Sequence, residues 1–418
     1  MGNNSNCRWV PRRVRVSIDH ALVASLEEQL RRDPRATIRI GASVRRGGDE
    51  LELIVPRLDG AEAGAPVLAR IFRPAAAARR ADTAFWIQYD KTLYQRPTLD
   101  LGLESDGGAI AAFLAGHERI AVHEIFLVGR QLMRLVPARG PNLEDVPLSE
   151  NARFSRFAGA LGGVSVLRRL QALTFACIGV GRLGSLLVVG LARAGVRRII
   201  LVDGDVLEPH SQDVEALARD VGRPKVVAVA SMVHAIARDV EVVPIEANVE
   251  SGAALEAVAA ADVVMSASDS DLPARLVATL AAAAWARPHI DVGTGVFGAG
   301  ADWVAGADVR LCLRGRCLMC LGGLDLSLRT RQNWAAQRAG SLRELNQAAV
   351  AQALLLLQRL VVGDLTHSKW MRLSVARDGA LSANVMTAAP TTPCSLCGRI
   401  AGIGDGLFDL NLVRGPVD

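Results

Sequence analysis

A short apolar run, Phe175-Ala176-Cys177-Ile178, passes directly into Gly179-Val180-Gly181-Arg182-Leu183-Gly184 and then into a helical stretch through Ala194 that stops at Gly195. Strand, glycine turn and helix in this order leave few folds open. The glycines permit a tight turn and close backbone approach. The helix start supplies unpaired N–H groups and the positive end of its dipole, and together these make a phosphate cradle. Regular alternation follows: strand Arg198–Val202, helix Lys225–Arg238, strand Glu241–Ile245, helix Leu255–Ala260, strand Val263–Ser266, helix Leu272–Ala286 and strand His289–Val292. Strands apolar on both faces and separated by helices predict a Rossmann-like, doubly wound, mainly parallel α/β sheet.

Taken alone, the glycine loop serves NAD as well as ATP. The second strand ends in Asp203-Gly204-Asp205, close to the ~20 residues downstream at which an acid meets a ribose hydroxyl. Three further features favour ATP. Lys225 opens a helix in Gly222-Arg223-Pro224-Lys225, in a chain with only three lysines against 45 arginines. Ser266-Ala267-Ser268-Asp269 ends the fourth strand, where the carboxylate of Asp269 can hold Mg²⁺ against a triphosphate. Asp291-Val292-Gly293-Thr294-Gly295 ends the fifth with a glycine-rich turn. A cation, an acid and a turn on one sheet edge suit transfer of AMP.

The seven cysteines are unevenly placed: Cys7, Cys177 and Cys312 stand alone, whereas Cys317/Cys320 and Cys394/Cys397 form two CxxC pairs. Without a secretory signal a disulfide framework is disfavoured, and two such knuckles predict a closed, structural Cys₄ zinc site. None of the lone cysteines has the exposed, electropositive setting that a reactive thiolate needs.

Around these motifs the chain resembles the ThiF/MoeB/HesA superfamily, the adenylating fold shared with ubiquitin-activating enzymes. The resemblance runs from Arg153 to about Gly363 and includes Pro393–Arg399. It is carried by Arg153-Phe154-Ser155-Arg156, the glycine loop, Asp203-Gly204-Asp205, Gly222-Arg223-Pro224-Lys225, Ser268-Asp269 and both CxxC pairs. It implies that Gly179, Gly181, Arg182 and Gly184 bind the nucleotide together with Asp203 and Asp205, with Asp205 on the ribose. Lys225 would meet the phosphates, Asp269 would hold Mg²⁺, and Arg156 would reach into the partner subunit of a homodimer. The implied reaction is ATP-dependent adenylation of the C-terminal carboxylate of a ubiquitin-like or sulfur-carrier protein. One departure counts against turnover: the family's ATP-gripping Arg falls near Val214 here, within Pro209-His210-Ser211-Gln212-Asp213-Val214. Losing a charge-assisted phosphate contact costs ~1.5–3 kcal/mol. Arg182, Arg219 or Arg223 would have to replace it. Otherwise the chain is an inactive scaffold that binds a partner protein or leader peptide.

The first part reads as a smaller α+β domain. Residues 1–15 form a basic tail, 16–137 the domain, 138–149 a linker, and 150–418 the adenylation domain. Helix Asp19–Arg32 has Asp19 as its N-cap and an apolar face at Leu22, Val23, Leu26 and Leu30. Strands are expected at Thr37–Ile40, Glu50–Val55, Val67–Phe72, Thr83–Tyr89, Glu124–Val128 and Gln131–Val136, with a helix at Gly108–Ala115. This order resembles JAB/MPN metallopeptidases. The chain lacks the His-x-His pair their zinc needs, so any such domain has lost its peptidase chemistry, and His117 and His123 are ordinary histidines.

With aromatics at only 4% of residues, the cores must be built from Ala, Val and Leu. The net charge of +5 is scattered as short arginine clusters, with no basic stripe interleaved with aromatics, which gives no support to nucleic-acid binding. No apolar run reaches membrane-spanning length. The longest, Ala348–Val362, is broken by Gln352, Gln358 and Arg359. A cytoplasmic protein without membrane segments is expected.

Overall fold

The computed structural model describes residues 13–33, 37–47, 50–55, 67–72, 98–103, 109–115, 118–122, 124–128, 133–135, 153–161, 163–209, 211, 213–268, 271–297, 304–313, 316–324, 342–365, 367–388 and 394–400. The chain divides into two units, with the break between Asp145 and Val146.

In the first unit, β1 (Arg13–Asp19) runs into α1 (His20–Arg32), followed by β2 (Thr37–Gly47), β3 (Glu50–Val55), β4 (Val67–Phe72), β5 (Thr98–Leu103), β6 (Ala109–Ala115), β7 (Glu118–Ala121), β8 (Glu124–Val128) and β9 (Met133–Leu135). They form one sheet in the order β7-β6-β5-β4-β2-β3-β1-β8-β9. Asp19 caps α1 by accepting from the N–H groups of Ala21 and Leu22, and the helix buries Leu22, Val23, Leu26 and Leu30, as expected. Two expectations fail. The tail contains the start of β1, whose Val14, Val16 and Ile18 are buried while Arg15 pairs with the fully buried Glu124 at 2.8 Å. The alanine-rich stretch expected as helix Gly108–Ala115 is β6, paired on both sides with β5 and β7. Cross-strand pairing there overrides the helical preference of alanine. The expected strand Thr83–Tyr89, the linker 138–149, Cys7, His117 and His123 lie outside the described residues.

The second unit opens with α2 (Ser155–Leu161) and α3 (Val164–Gln171). It continues through β10 (Thr174–Ile178), α4 (Arg182–Arg193), β11 (Arg198–Val202), α5 (Lys225–Ile236), β12 (Glu241–Ile245), α6 (Gly252–Ala260), β13 (Val263–Ser266), α7 (Leu276–Ala284), β14 (His289–Phe297), β15 (Val304–Cys312), α8 (Arg343–Val362), β16 (Lys369–Val375) and β17 (Leu381–Val385). The sheet order is β12-β11-β10-β13-β14-β15-β16-β17. From β12 to β14 all pairs are parallel, and β14 to β17 continue antiparallel. Successive strand residues serve opposite cores, as period-two geometry requires. Phe175, Cys177, Ile199 and Leu201 pack with α4, α5 and α8, while Ala176, Ile178, Ile200 and Val202 pack with α6 and α7. The fold is thus doubly wound and mainly parallel, as the sequence predicts.

Helix α8 spans twenty residues and is, by length and composition, apolar enough to cross a membrane. That corrects the expectation of no such run. Its Leu345, Ala349, Val350, Ala353, Leu356 and Leu357 are nevertheless buried in the core of this unit. The β16–β17 hairpin turns at Asp378-Gly379 and leaves β17 exposed along its length.

Candidate nucleotide site and thiolate cluster

The loop after β10 is shaped by its glycines. Gly179 has a φ of +79°, and a Cβ there would stand 3.1 Å from the Ala267 carbonyl oxygen. At Gly184 a Cβ would lie 1.8 Å from the Gly179 carbonyl oxygen, so the first turn of α4 can rest on the loop only without a side chain. Gly181 is the N-cap of α4 and faces open space. The first N–H groups of a helix have no partner within it, and such a helix start favours an anion.

The acid pair divides into two tasks. Asp203 accepts from the Val180 N–H at 2.8 Å and from the Asp205 N–H at 2.9 Å, so both its oxygens hold backbone. Burial raises its pKa above the ordinary carboxylate value, despite these hydrogen bonds and the Lys225 charge. Asp205 instead has a side chain 72% exposed, and accepts from Lys225 Nζ at 2.6 Å. The Lys225 N–H also donates to the Asp205 carbonyl at 2.9 Å, so α5 starts beside the end of β11. The structure therefore brings together the glycine loop, Asp203, Asp205 and Lys225. Asp269 lies outside the described residues, although Ala267 and Ser268 leave β13 against the loop.

Two arginines approach the segment around Val214. Val214 is 6% exposed and belongs to the core, so it presents no polar group. Arg182 stands 3.8 Å from Asp213. Arg223 is held by the buried Asp220 at 2.5 Å, and Arg219 is exposed on the adjacent 3-10 turn. Sequence reasoning missed Arg343, which comes from the first turn of α8. It donates to the Asp213 carbonyl at 3.2 Å and pairs with Glu215, flanking Val214 on both sides. Nothing local marked it, because it lies 130 residues from Asp213. Two residues before α2, Arg153 donates to Asp239 at 3.2 Å and to the Ile236 carbonyl at 3.2 Å, fixing the start of α2 against the end of α5. Arg156 is exposed, without a hydrogen bond or ion pair among the described residues.

A second group that the sequence did not reveal lies where β13 ends and β14 begins. Ser266 Oγ donates to Asp291 Oδ1 at 2.7 Å and lies 2.7 Å from His289 Nε2, and Arg275 pairs with Asp291. Ser266 and Asp291 are fully buried and His289 is 2% exposed. Burial alone would raise the pKa of Asp291, but the charge and hydrogen bonds of Arg275 outweigh it and hold the carboxyl below its ordinary value.

The four CxxC cysteines meet, all buried, with every Sγ within 4.8 Å of the others. Three Sγ–Sγ separations are 3.8, 3.7 and 3.5 Å. A tetrahedral zinc ion with bonds of about 2.3 Å sets its sulfurs about 3.8 Å apart, so the cluster fits that ion. Neither of the other described cysteines is a reactive thiol. Burial pushes Cys177 up to about 12 and raises Cys312 as well.

A parallel sheet with a glycine cradle at its carboxyl edge, a ribose-distance acid and a lysine at the next helix start defines a nucleotide-binding α/β protein. Residues 148–369 match the ThiF family, and the chain belongs to it. Curated relatives include the SAMP-activating enzyme E1 of Haloferax volcanii, 38% identical over 24% of this chain and 38% of that protein. The adenylyltransferase and sulfurtransferase MOCS3-1 of Zea mays is 33% identical over 27% of this chain and 24% of that protein. A tRNA threonylcarbamoyladenosine dehydratase of Bacillus subtilis is 36% identical over 22% and 37%. The chain thus spans well under half the length of the curated relatives it matches. Among solved structures, E. coli MccB with AMPCPP and MccA has a TM-score of 0.48 at 20% identity, covering 61% of this chain and 76% of that one.

Proposed function

We propose that this protein binds MgATP and adenylates the C-terminal carboxylate of a small protein, either ubiquitin-like or a sulfur carrier. A carboxylate oxygen attacks the α-phosphorus, the bond to pyrophosphate breaks, and an acyl-adenylate forms. The observation that carries the reading is the joint placement of the glycine loop, the exposed Asp205 and Lys225 at one sheet edge. In this reading the loop N–H groups receive the phosphates and Asp205 turns to the ribose. Lys225 then exchanges its Asp205 partner for phosphate oxygens, and Asp269 holds Mg²⁺. Catalysis is positioning and charge neutralisation, since the attacking carboxylate is already a nucleophile. Arg156, exposed and without a partner among the described residues, suits a group completed by the second subunit of a homodimer. Arg182 and Arg343, which both contact Asp213 beside Val214, stand in for the missing arginine. A zinc ion on the four thiolates would be structural and would tie residues 316–324 to 394–400. The buried cysteines favour handing the adenylate to another protein over a thioester on this chain.

ATP–pyrophosphate exchange tests this, with purified protein and a candidate small protein ending in Gly-Gly. Exchange that requires the small protein and falls about tenfold to a hundredfold in Lys225→Ala supports the reading, since one charge-assisted contact contributes ~1.5–3 kcal/mol. The burial of Val214 favours a second reading, an inactive scaffold that binds a protein or leader peptide. Zinc-loaded, folded protein that gives no exchange with any such partner selects it.

A further inference from the structure

Ser266 and Arg275 are held by one side chain, that of Asp291. Ser266, the last residue of β13, lies opposite Asp291 in the parallel register and donates to its Oδ1 at 2.7 Å. Arg275 closes the helical turn Asp271–Arg275. Its Nε donates to the same Oδ1 at 3.2 Å and its Nη2 to Oδ2. His289 completes the group. Because the Ser266 hydroxyl gives its proton to Asp291, His289 must donate to it through Nε2, leaving Nδ1 a buried acceptor with no partner among the described residues. Arg310 faces Asp291 from β15, but its side chain is bonded to Asp308 and the Leu321 carbonyl. The direct ion pair of Asp291 is therefore with Arg275.

The residues that follow Ser266 form a wall of the cradle. The Ala267 N–H donates to the Ile178 carbonyl at 3.0 Å, and a Cβ on Gly179 would meet the Ala267 oxygen at 3.1 Å and the Ser268 nitrogen at 3.3 Å. Any shift at Ala267 or Ser268 thus moves the surface against which the glycine loop is formed.

We propose that Asp291 is a positioning residue for nucleotide binding, pinning the wall of the glycine loop through Ser266 on one flank and Arg275 on the other. Its consequence for ATP rests on the function proposed above, whereas the pinning itself rests on the geometry alone. Asp291→Asn leaves the Arg275 charge buried opposite a neutral amide and lowers the stability of the fold. The double variant Asp291→Asn/Arg275→Met removes both charges and separates folding from positioning.

The test uses the full chain without nucleotide for amide hydrogen exchange across 264–276, and with ATP for a Kd by calorimetry. Zinc content and the urea midpoint serve as controls. The double variant should keep its zinc and a midpoint close to wild type. Its amides at 267 and 268 should exchange at least about tenfold faster, and its ATP Kd should rise about tenfold, a modest loss for a misplaced binding group. Unchanged exchange in the double variant overturns the pinning. Faster exchange with an unchanged Kd overturns the positioning role. Wild-type protein that binds no ATP overturns the proposed function, and with it the nucleotide consequence, and is told apart because the exchange comparison needs no ligand.

Discussion

Acid should weaken the second unit through one buried imidazole. His289 lies 2.7 Å from Ser266 Oγ, is 2% exposed, and is surrounded by Ser266, Asp291 and Arg275. Burial, opposed by the Asp291 charge and assisted by that of Arg275, lowers its pKa from 6.5 to about 4. The sign follows from which state takes the proton. Between 6.5 and about 4 the unfolded chain is protonated at this position and the folded chain is not, so stability is full above 6.5 and falls as pH drops through that window. At pH 5 the difference is about 2 kcal/mol relative to pH 7.5, on the order of a fifth of a typical domain's stability. Asp291, with its depressed pKa, contributes in the same direction only below the ordinary carboxylate value. Asp203, with its raised pKa, works in the opposite direction. His289→Gln supplies a non-titrating N–H to Ser266 and isolates the histidine. Urea unfolding at pH 7.5 and 5.0 should be followed by amide exchange in β13 and β14, so that only this unit is read. The wild type should lose about 2 kcal/mol more than the Gln variant over that range. Equal losses in the two proteins would refute the assignment of a neutral, buried His289.

Two further outcomes follow from the site geometry. Gly184→Ala places a methyl group 1.8 Å from a backbone oxygen, so the loop must move. ATP affinity should fall by a factor of about 100 or more in calorimetry, while zinc content is retained. Purified protein should carry about one zinc ion per chain, and Cys320→Ser should lower both metal content and the urea midpoint of the second unit, with a loss of at least about 3 kcal/mol.

The second unit was largely legible because strands buried on both faces leave continuous apolar text bounded by Gly, Asp and Ser. Arg198–Val202, Glu241–Ile245 and Val263–Ser266 have the bounds read from the sequence. The thiolate cluster was equally plain, since CxxC spacing is itself a ligand geometry. The first unit was harder. Arg13 to Asp19 alternates in period two, yet its arginines disguised it as a tail. Ala109–Ala115 has a helical composition and is a strand because β5 and β7 flank it. In the candidate site, the local motifs Gly179, Gly184, Asp203, Asp205 and Lys225 were visible. The partnerships of Ser266 with Asp291, and of Arg343 with the 213–215 segment, are set by strand register and helix placement. No local pattern encodes them.

The thiolates that face each other come from places 77 residues apart in the chain, Cys317 with Cys394 and Cys320 with Cys397. With a metal between them, the intervening chain becomes a closed ring, and the entropy of closing a ring grows only with the logarithm of its length. Each doubling costs about 0.6 kcal/mol. Length within that ring is therefore thermodynamically cheap, provided that α8 keeps its seat on the sheet. The Asp378-Gly379 turn, where added atoms would meet open space, is the natural graft point. A tag, a reporter or a small domain spliced there would leave all four sulfurs in register, so with a metal bound this hairpin would tolerate elaboration.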